Sequence, residues 1–492
     1  MLSTLRLTLL ALLSVAIAAA TGTLRVRILD TDRHTITAAR VNVMGADNAY
    51  YEPVNNPLAE YSLKRKGNRG NVGPLRYFGS FFYTEGSFEL QLPPGIARIE
   101  VSKGYAYYPA IAEVKVEDGR TSTYDVILQR VIDMPAAGWH STDTHLHFDR
   151  ANPAADANIL QLLSAEDIEF GHILTIQSAK GWAMNSLNSL GRYAIVSGRE
   201  ATSPGLGHVN MLLFSEPPPA VRNEMHPPPG FPLAALYDQV LAAGGAMQHD
   251  HAGYGQEIYA DAVLGKSDAV ELIQFGLYRP AIGLDGYYLL LNSGFRYPLL
   301  GASDYPVCRT MSDSRTFVAD GAAPSFPTTV GRILRGQSFA TSGPLLLLSV
   351  NGQGPGSNIA YAGNLPQSVT VKVEAASGEL PFDTLEVIQN GKVVAEWHGE
   401  AVFRKELKTT LKLDASSWIA ARCSGPQTVH AHTNPVWIYF NGQPPFQPDA
   451  ARELASRIRA FEQTNVSRAV KDVAEDALAR LQKAPFPPAA IT

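Results

Sequence analysis

The sequence predicts a multidomain protein, α/β plus β, in which a central α/β domain lies between two antiparallel β-sandwiches and a helical segment follows. The length of 492 residues exceeds what one hydrophobic core usually organises. Apolar and polar residues alternate with period two in both flanking regions, whereas strand-like and helix-like stretches alternate between them. The predicted segments are a signal peptide, a sandwich, the α/β domain, a second sandwich and a helical tail, over residues 1–20, 21–135, 136–344, 345–445 and 446–492.

The first predicted segment has the pattern of a secretory signal peptide. Arg6 precedes a long apolar run, and the small residues Ala18, Ala19 and Ala20 end it. The run is too short to span a membrane. We therefore expect an exported protein, periplasmic or extracellular, whose mature form has no membrane span. The alternative is an N-terminal anchor that is not cleaved.

Composition and charge exclude some classes of partner. The formal net charge is -5 and the isoelectric point is near 6.2, so the chain lacks the positive field that attracts nucleic acid.

Cys308 and Cys423 are the only cysteines, and neither has a partner at CxxC spacing, which argues against a zinc ribbon or a disulfide scaffold. An exported location would permit one bridge between them. The sequence leaves that bridge open, as it does the oligomeric state.

Short alternating runs predict the N-terminal sandwich. They lie at residues 24–28, 40–43, 87–92 and 97–101. The turn Pro93-Pro94-Gly95 between the last two is typical of a hairpin. The arrangement resembles the carboxypeptidase regulatory-like sandwich at the front of many exported enzymes, where it carries no chemistry.

In the central domain the spacing of apolar residues alternates between that of strands and that of helices. Residues 171–176 and 193–196 are typical of strands, and residues 157–168 and 233–243 of helices. This alternation favours a mainly parallel sheet. Active residues of such folds gather at the carboxyl ends of the strands.

Histidines and carboxylates follow the strand-like runs of this domain. His145 and His147 lie two apart on an extended segment, so both face one side and can bind one cation such as zinc, manganese or iron. Five further candidates each come after such a run: Glu200, His208, His249, His251 and Asp304. Ligands collected from several strands are what a two-metal hydrolytic centre requires.

The order of six motifs resembles one protein family. The motifs are GWHSTDTHLH, SGRE, GHVN, HDH, GASD and GRILRGQSFATSGPLL, and the resemblance covers most of residues 138–440. The chain is similar to the PHP (polymerase and histidinol phosphatase) superfamily, and within it to the CehA/McbA branch of metallohydrolases, which includes carbaryl hydrolase. The resemblance implies a distorted seven-stranded (β/α) barrel and a divalent-metal hydrolase. The residues that match the family's ligands are the opening pair His145 and His147, the bridging glutamate Glu200, then His208, His251 or His249, and Asp304.

Two departures from the family's pattern concern the number of ions. Thr175-Ile176-Gln177 stands where the family commonly has Thr-Asp-His, and Asp304-Tyr305-Pro306 where it commonly has Asp-x-His. By resemblance, both missing histidines belong to a third metal. One or two ions are therefore expected. The alternative is a degenerate site that no longer catalyses.

The expected chemistry is hydrolysis of a small-molecule substrate by a metal-bound hydroxide. The CehA/McbA branch implies an ester, carbamate or amide bond, and the wider superfamily implies a phosphoester, which stays open as an alternative. His249 or His251 is expected to protonate the leaving group, and Asp304 to act in the same catalytic centre. A different class also stays open: a non-catalytic surface or carbohydrate-binding protein.

Several further residues receive supporting roles. His140 and Asp143 are expected to orient His145 and His147 by hydrogen bonds. His226, in a proline-rich stretch, is expected in solvent. Four cations are candidate contacts for an anionic group, with an ordinary salt bridge as the alternative for each: Lys180, Arg199, Arg309 and Arg315.

Overall fold

A computed structural model describes most of the chain, over residues 20–31, 34–64, 70–72, 75–77, 79–174, 187–212, 219–221, 226–308, 310–363, 365–426 and 428–483. Residues 1–19 of the predicted signal peptide lie outside these residues, as do Gln177, Lys180 and Arg309. No helix within them is long and apolar enough to cross a membrane.

Three sheets, one of them with only two strands, form the N-terminal part of the fold. The strands are β1 (Gly22–Asp30), β2 (Thr35–Ile36), β3 (Ala39–Met44), β4 (Tyr50–Tyr51), β5 (Gly70–Val72), β6 (Leu75–Tyr77), β7 (Phe82–Thr84), β8 (Ser87–Leu92), β9 (Gly95–Ser102), β10 (Ala110–Val116) and β11 (Thr121–Leu128). One sheet contains β11, β1, β2 and β8, a second contains β10, β9, β3, β4 and β7, and the third consists of β5 and β6. The turn at residues 93–95 joins strands of different sheets, so the expected hairpin there is wrong.

The central part mixes strands with helices. Its elements are β12 (Trp139–Leu146), α1 (Pro153–Ala165), β13 (Phe170–Leu174), β14 (Asn188–Leu190), β15 (Tyr193–Ser203), β16 (Gly207–Leu212), α2 (Leu233–Ala242), β17 (Ala246–His249), α3 (Ile258–Leu264), β18 (Ala269–Gln274), β19 (Leu277–Tyr278), α4 (Gly283–Asn292), β20 (Leu299–Gly301), β21 (Arg315–Ala319), α5 (Phe326–Leu334) and β22 (Ser338–Thr341). Short 3-10 turns lie at Ala59–Tyr61 and Pro219–Val221.

The central sheet is mixed, and the prediction of a distorted (β/α)7 barrel with a mainly parallel sheet is wrong. β12, β13 and β15 are parallel, as are β17, β18 and β20, but β16 is antiparallel to both of its neighbours, β15 and β17. β21 is antiparallel to β12 and to β22. The physical reason is visible at residues 203–207. There Gly205 and Gly207, with φ of 82° and 130°, permit a tight hairpin instead of a helical crossover.

The C-terminal part is again rich in strands. They are β23 (Leu345–Val350), β24 (Asn358–Tyr361), β25 (Gln367–Ala376), β26 (Phe382–Gln389), β27 (Lys392–Val402), β28 (Arg404–Leu413), β29 (Ser417–Gly425), β30 (Val429–Thr433) and β31 (Val436–Phe440), followed by α6 (Pro448–Glu462) and α7 (Arg468–Leu481). β23, β25 and β28 form a separate sheet, whereas β30 pairs with β22 and so continues the central sheet. Leu454 and Leu481 of the two helices are buried in one apolar cluster with Leu290 of α4. The helices therefore pack against the central part.

The two cysteines do not form a bridge. Cys308 and Cys423 are both buried and free, and they belong to separate apolar clusters. Burial raises the pKa of both thiols, which keeps them protonated.

Candidate metal centre

Six of the seven predicted ligands come together in the central part. His145 is near the end of β12 and His147 follows it, while Asp304 follows β20. The other three are Glu200 within β15, His208 within β16 and His251 just after β17. Each of the six has a ring nitrogen or carboxylate oxygen within 3.4 Å of another member. We call this set the histidine–carboxylate group.

One half of the group surrounds His145 and His147. Nε2 of His147 lies 3.2 Å from Oε2 of Glu200 and 3.3 Å from Oδ1 of Asp304. Nε2 of His145 lies 3.4 Å from the same Asp304 oxygen and 3.8 Å from the same Glu200 oxygen. Two imidazoles and two carboxylates therefore converge on one small volume.

The other half uses the second oxygen of Glu200. Oε1 lies 2.8 Å from Nδ1 of His208 and 3.9 Å from Nε2 of His251, and these two nitrogens are 3.2 Å apart. The Glu200 carboxylate thus faces one pair of imidazoles with each of its oxygens.

The spacing of these atoms fits divalent ions. Zinc holds its nitrogen and oxygen ligands at about 2.0–2.2 Å, which puts neighbouring atoms of a tetrahedral ligand set about 3.3–3.6 Å apart. The separations, 3.2 to 3.8 Å in one half and 2.8 to 3.9 Å in the other, bracket that range. Nε2 of His145 is buried and has no hydrogen-bond partner among the described residues, so its lone pair is available to a cation. These buried histidine, aspartate and glutamate groups could therefore hold a metal ion.

Two carboxyl groups that the sequence reading missed lie behind His145. Oε2 of Glu271, on β18, is 2.7 Å from Nδ1 of His145, and Oδ1 of Asp250 is 3.8 Å from it. All three side chains are fully buried. A hydrogen bond from Nδ1 to Glu271 fixes the tautomer in which Nε2 carries the lone pair. The available signal was a glutamate inside the apolar run of β18, where a charge needs a partner.

Asp143 has the supporting role that the sequence predicted, and His140 does not. Asp143 accepts hydrogen bonds from the backbone N–H groups of His145 and Ser303 and from the hydroxyls of Ser303 and Ser312. It thereby ties β12 to the segment that carries Asp304. His140 instead lies 2.7 Å from Glu169 and 2.7 Å from the carbonyl oxygen of Gly321, with no contact to the pair.

His249 does not join the group, so its predicted ligand and catalytic roles are corrected. Its Nε2 is 2.8 Å from Oδ2 of Asp261, both side chains are fully buried, and burial lowers the pKa of His249 to about 3. The reason is backbone geometry. His251 and Ala252 have φ of 52° and 58°, which ends the strand, so residues 249 and 251 do not share a face.

Neither of the two described arginine candidates reaches the group. Arg315 donates to the carbonyl oxygens of Ser312 and Glu166, and its guanidinium covers the Tyr105 ring at 4.3 Å. Arg199 precedes Glu200 in β15, so it projects from the opposite face of the strand. Arg315 is thus a structural residue.

The group holds protons where a cation would bind. Burial disfavours a charged His147, but hydrogen bonds with Asp304 and Glu200 outweigh it and raise its pKa to about 9. Burial likewise opposes a charged His145, yet Glu271 and Asp250 raise its pKa well above the ordinary value. Since metal ligation needs neutral imidazoles, binding of a cation would release these protons.

Protonation of His147 is expected to contribute about 3 kcal/mol less to the stability of the metal-free protein at pH 9 than at pH 6.5. The folded pKa of His147, about 9, lies above its ordinary value of 6.5. The protonated ring therefore stabilises the fold fully below pH 6.5, and this contribution disappears as the pH rises through 9. Urea denaturation in chelator at both ends of this range measures the loss. A His147→Gln variant should lose about 3 kcal/mol less than the wild type over this pH range, and an equal loss would contradict the assignment.

Comparisons with known proteins assign the chain to no family. No family model and no curated protein matches the chain. Among solved structures it is similar to PsfC from Pseudomonas syringae, with 15% identity over 38% of this chain and 85% of that one and a TM-score of 0.30. It is also similar to a lesion-specific endonuclease from Pyrococcus furiosus, with 10% identity over 40% of this chain and 56% of that one and a TM-score of 0.26. A minor pilin of Streptococcus agalactiae gives 13% identity over 23% and 46%, with a TM-score of 0.15. The chain thus spans about half the length of the endonuclease and of the pilin. TM-scores this low carry no argument, and the resemblance to the CehA/McbA branch stays a prediction.

Proposed function

We propose that the protein is an exported, divalent-metal-dependent hydrolase that cleaves an ester, carbamate or amide bond of a small molecule. One observation carries this proposal: the Glu200 carboxylate faces His145 and His147 with one oxygen and His208 and His251 with the other. A carboxylate in that position can bridge two ions. The motif order that resembles the CehA/McbA branch supports the same reading, and the N-terminal pattern around Arg6 supports export.

The charge of the group favours two ions. Four carboxyl groups lie against the imidazoles, namely Glu200, Asp304, Asp250 and Glu271. Burial raises the pKa of Asp250 well above its ordinary value, so three of these four groups carry charge, and a single divalent cation would leave net negative charge buried, which is costly. Imidazole and carboxylate donors suit zinc, manganese or iron.

Residues around the group position its ligands and leave an opening for substrate. A divalent ion, when bound, lowers the pKa of a water ligand and polarises a scissile carbonyl. Glu271 holds the His145 ring in position from behind, where the side chain is fully buried and water is excluded. The His208 side chain is 31% exposed, so substrate has access from its side of the group. The exposed ring of Tyr254 lies edge-on to His208, with centroids 5.9 Å apart, and borders this opening.

The surroundings favour an uncharged carbonyl substrate over a phosphoester. Within the described part of the chain, Glu200 and Asp304 pair with histidines and with no lysine or arginine. A phosphoester carries negative charge that basic side chains usually bind. Hydrolysis of a phosphoester is therefore the second candidate.

A substrate panel tests the proposal. Purified protein loaded with zinc, manganese or iron is assayed on matched aryl esters, carbamates, anilides and phosphoesters. We expect turnover of at least one carbonyl substrate, and its loss in a His145→Ala variant that keeps the wild-type fold. A metal-loaded protein that turns over none of them, or an equally active His145→Ala variant, would overturn the proposal in favour of a non-catalytic surface or carbohydrate-binding protein.

Glu271→Gln is expected to weaken metal binding by roughly 10–100-fold, because the amide no longer accepts the His145 proton with a full charge. The chain offers a matched control in Glu169→Gln. Glu169 lies 2.7 Å from Nδ1 of His140, as Glu271 does from His145, but away from the group. Competition titration against a chromophoric chelator measures both affinities. Equal affinities in the two variants would contradict the role of Glu271.

A further inference from the structure

One residue contacts both halves of the histidine–carboxylate group without belonging to it. Gln274 is fully buried at the end of β18. Its Oε1 lies 2.9 Å from Nδ1 of His251, and its Nε2 lies 3.3 Å from Oδ2 of Asp304. We infer that Gln274 is a positioning residue, which holds one ligand of each half in the orientation that binds an ion. This inference rests on the proposed function and names a residue outside the predicted ligand set.

Strand order places Gln274 between its two partners. β18 pairs with β17 on one side and with β20 on the other, and all three strands are parallel, so their carboxyl ends meet at one edge of the sheet. His251 follows β17, and Asp304 follows β20. Side chains alternate along a regular strand, so residues 271 and 274 would project to opposite faces. The register of β18 against β20 shifts between Glu271 and Ile273, which lets Glu271 and Gln274 both face the group.

The two contacts fix the orientation of the amide and the tautomer of His251. A carboxylate oxygen only accepts hydrogen bonds, so the end of Gln274 that faces Asp304 must be the NH2 group. The carbonyl oxygen of the amide then faces His251, and Nδ1 of that ring must donate the hydrogen. Nε2 of His251 consequently carries the lone pair. It lies 3.9 Å from Oε1 of Glu200 and 3.2 Å from Nδ1 of His208, so the lone pair belongs to the ligand atom on the side of the group.

Asp304 is oriented by the other end of the same amide. The NH2 group of Gln274 binds Oδ2, whereas Oδ1 lies 3.4 Å from Nε2 of His145 and 3.3 Å from Nε2 of His147. One oxygen of the carboxylate is therefore held by the protein, and the other is left to face a cation.

The partners of residue 274 require an amide. Glu271 accepts a hydrogen bond from a ring nitrogen of His145, so a carboxylate suits that position. Gln274 must accept from an imidazole and donate to a carboxylate at the same time, and a glutamine carries both groups on one side chain. A glutamate at position 274 would still accept from His251, but it would put a second carboxylate beside Asp304.

Zinc titration of two variants tests the inference. Gln274→Glu keeps the shape of the side chain and the acceptor for His251 but loses the donor to Asp304, whereas Gln274→Met loses both. We expect each variant to bind zinc at least about tenfold more weakly than the wild type, as measured by competition with a chromophoric chelator. An added negative charge alone would tighten binding. A Gln274→Glu variant that binds zinc as tightly as the wild type, or more tightly, would therefore overturn the inference even if Gln274→Met does not fold.

A matched control and a second readout complete the test. Gln389 is half-buried and donates to Oγ of Ser417 at 3.1 Å in the C-terminal part, so Gln389→Met should bind zinc like the wild type. The visible absorption spectrum of cobalt-loaded protein reports the ligand geometry, and it should change in both Gln274 variants but not in Gln389→Met. Wild-type zinc affinity or an unchanged cobalt spectrum in the Gln274 variants would overturn the role of Gln274 alone. A wild type that binds neither zinc nor cobalt would overturn the proposed function and this inference with it.

Discussion

Replacing Glu200 by glutamine is expected to remove at least one of two bound ions and to lower kcat/KM by about 1000-fold or more, which is about 4 kcal/mol. The carboxylate has an oxygen 3.2 Å from His147 and another 2.8 Å from His208, so it serves both halves of the group. A glutamine loses the negative charge, and only one of its two terminal atoms can bind a cation. Metal analysis and steady-state kinetics on the carbonyl substrates measure the two effects.

Two further variants test whether the loss of ions and activity is specific to Glu200. His208→Ala removes a ligand from one half only, so it should lose one ion and keep the other. Glu386→Gln changes a buried glutamate that pairs with Arg422 in the C-terminal part, and it should keep both ions. Two tightly bound ions in the Glu200→Gln variant would contradict the bridging role.

Asp143→Ala is expected to destabilise the fold by about 3–5 kcal/mol and to weaken metal binding at least tenfold. Asp143 is fully buried and accepts four hydrogen bonds, at 3.0 Å from His145 N, 3.2 Å from Ser303 N, 2.6 Å from Ser303 Oγ and 2.7 Å from Ser312 Oγ. Truncation leaves four donors buried without an acceptor. It also frees the segments that position His145 and Asp304.

Urea denaturation and a chelator titration separate the two effects of this change. Asp320→Ala is the control, because Asp320 is buried and accepts from the hydroxyls of Thr328 and Thr329 away from the group. It should cost stability without changing metal affinity. A stable Asp143→Ala variant that binds metal like the wild type would refute the role given to this network.

Local sequence patterns predicted the residues of the group better than the sheet that carries them. The i, i+2 spacing of His145 and His147 on an extended segment sufficed to put both on one face. The Asn390-Gly391 pair that joins β26 and β27 is a local signal of the same kind, since both residues take the positive φ that a tight hairpin requires. Strand direction is not local. An apolar run followed by a polar residue looks alike in parallel and antiparallel strands, and the glycines at 205 and 207 reverse the chain where a crossover was expected.

The wrong or missing predictions of site residues also arise from conformations and contacts that residue types alone do not encode. His249 and His251 have the spacing of His145 and His147, but the left-handed conformation of His251 turns the two side chains apart. No pattern of residue types encodes that conformation. Glu271 was missed because its partner, His145, is 126 positions away in the sequence. A carboxylate in a buried strand must have a partner, but the sequence does not indicate which residue that partner is.

The metal stoichiometry of the purified wild-type protein tests the central claim most directly. Elemental analysis after exhaustive dialysis, paired with urea denaturation before and after chelation, counts the ions and measures their contribution to stability. We expect about two divalent ions per chain and a loss of stability when they are removed. No bound divalent ion, together with identical unfolding in the presence and absence of chelator, would contradict it.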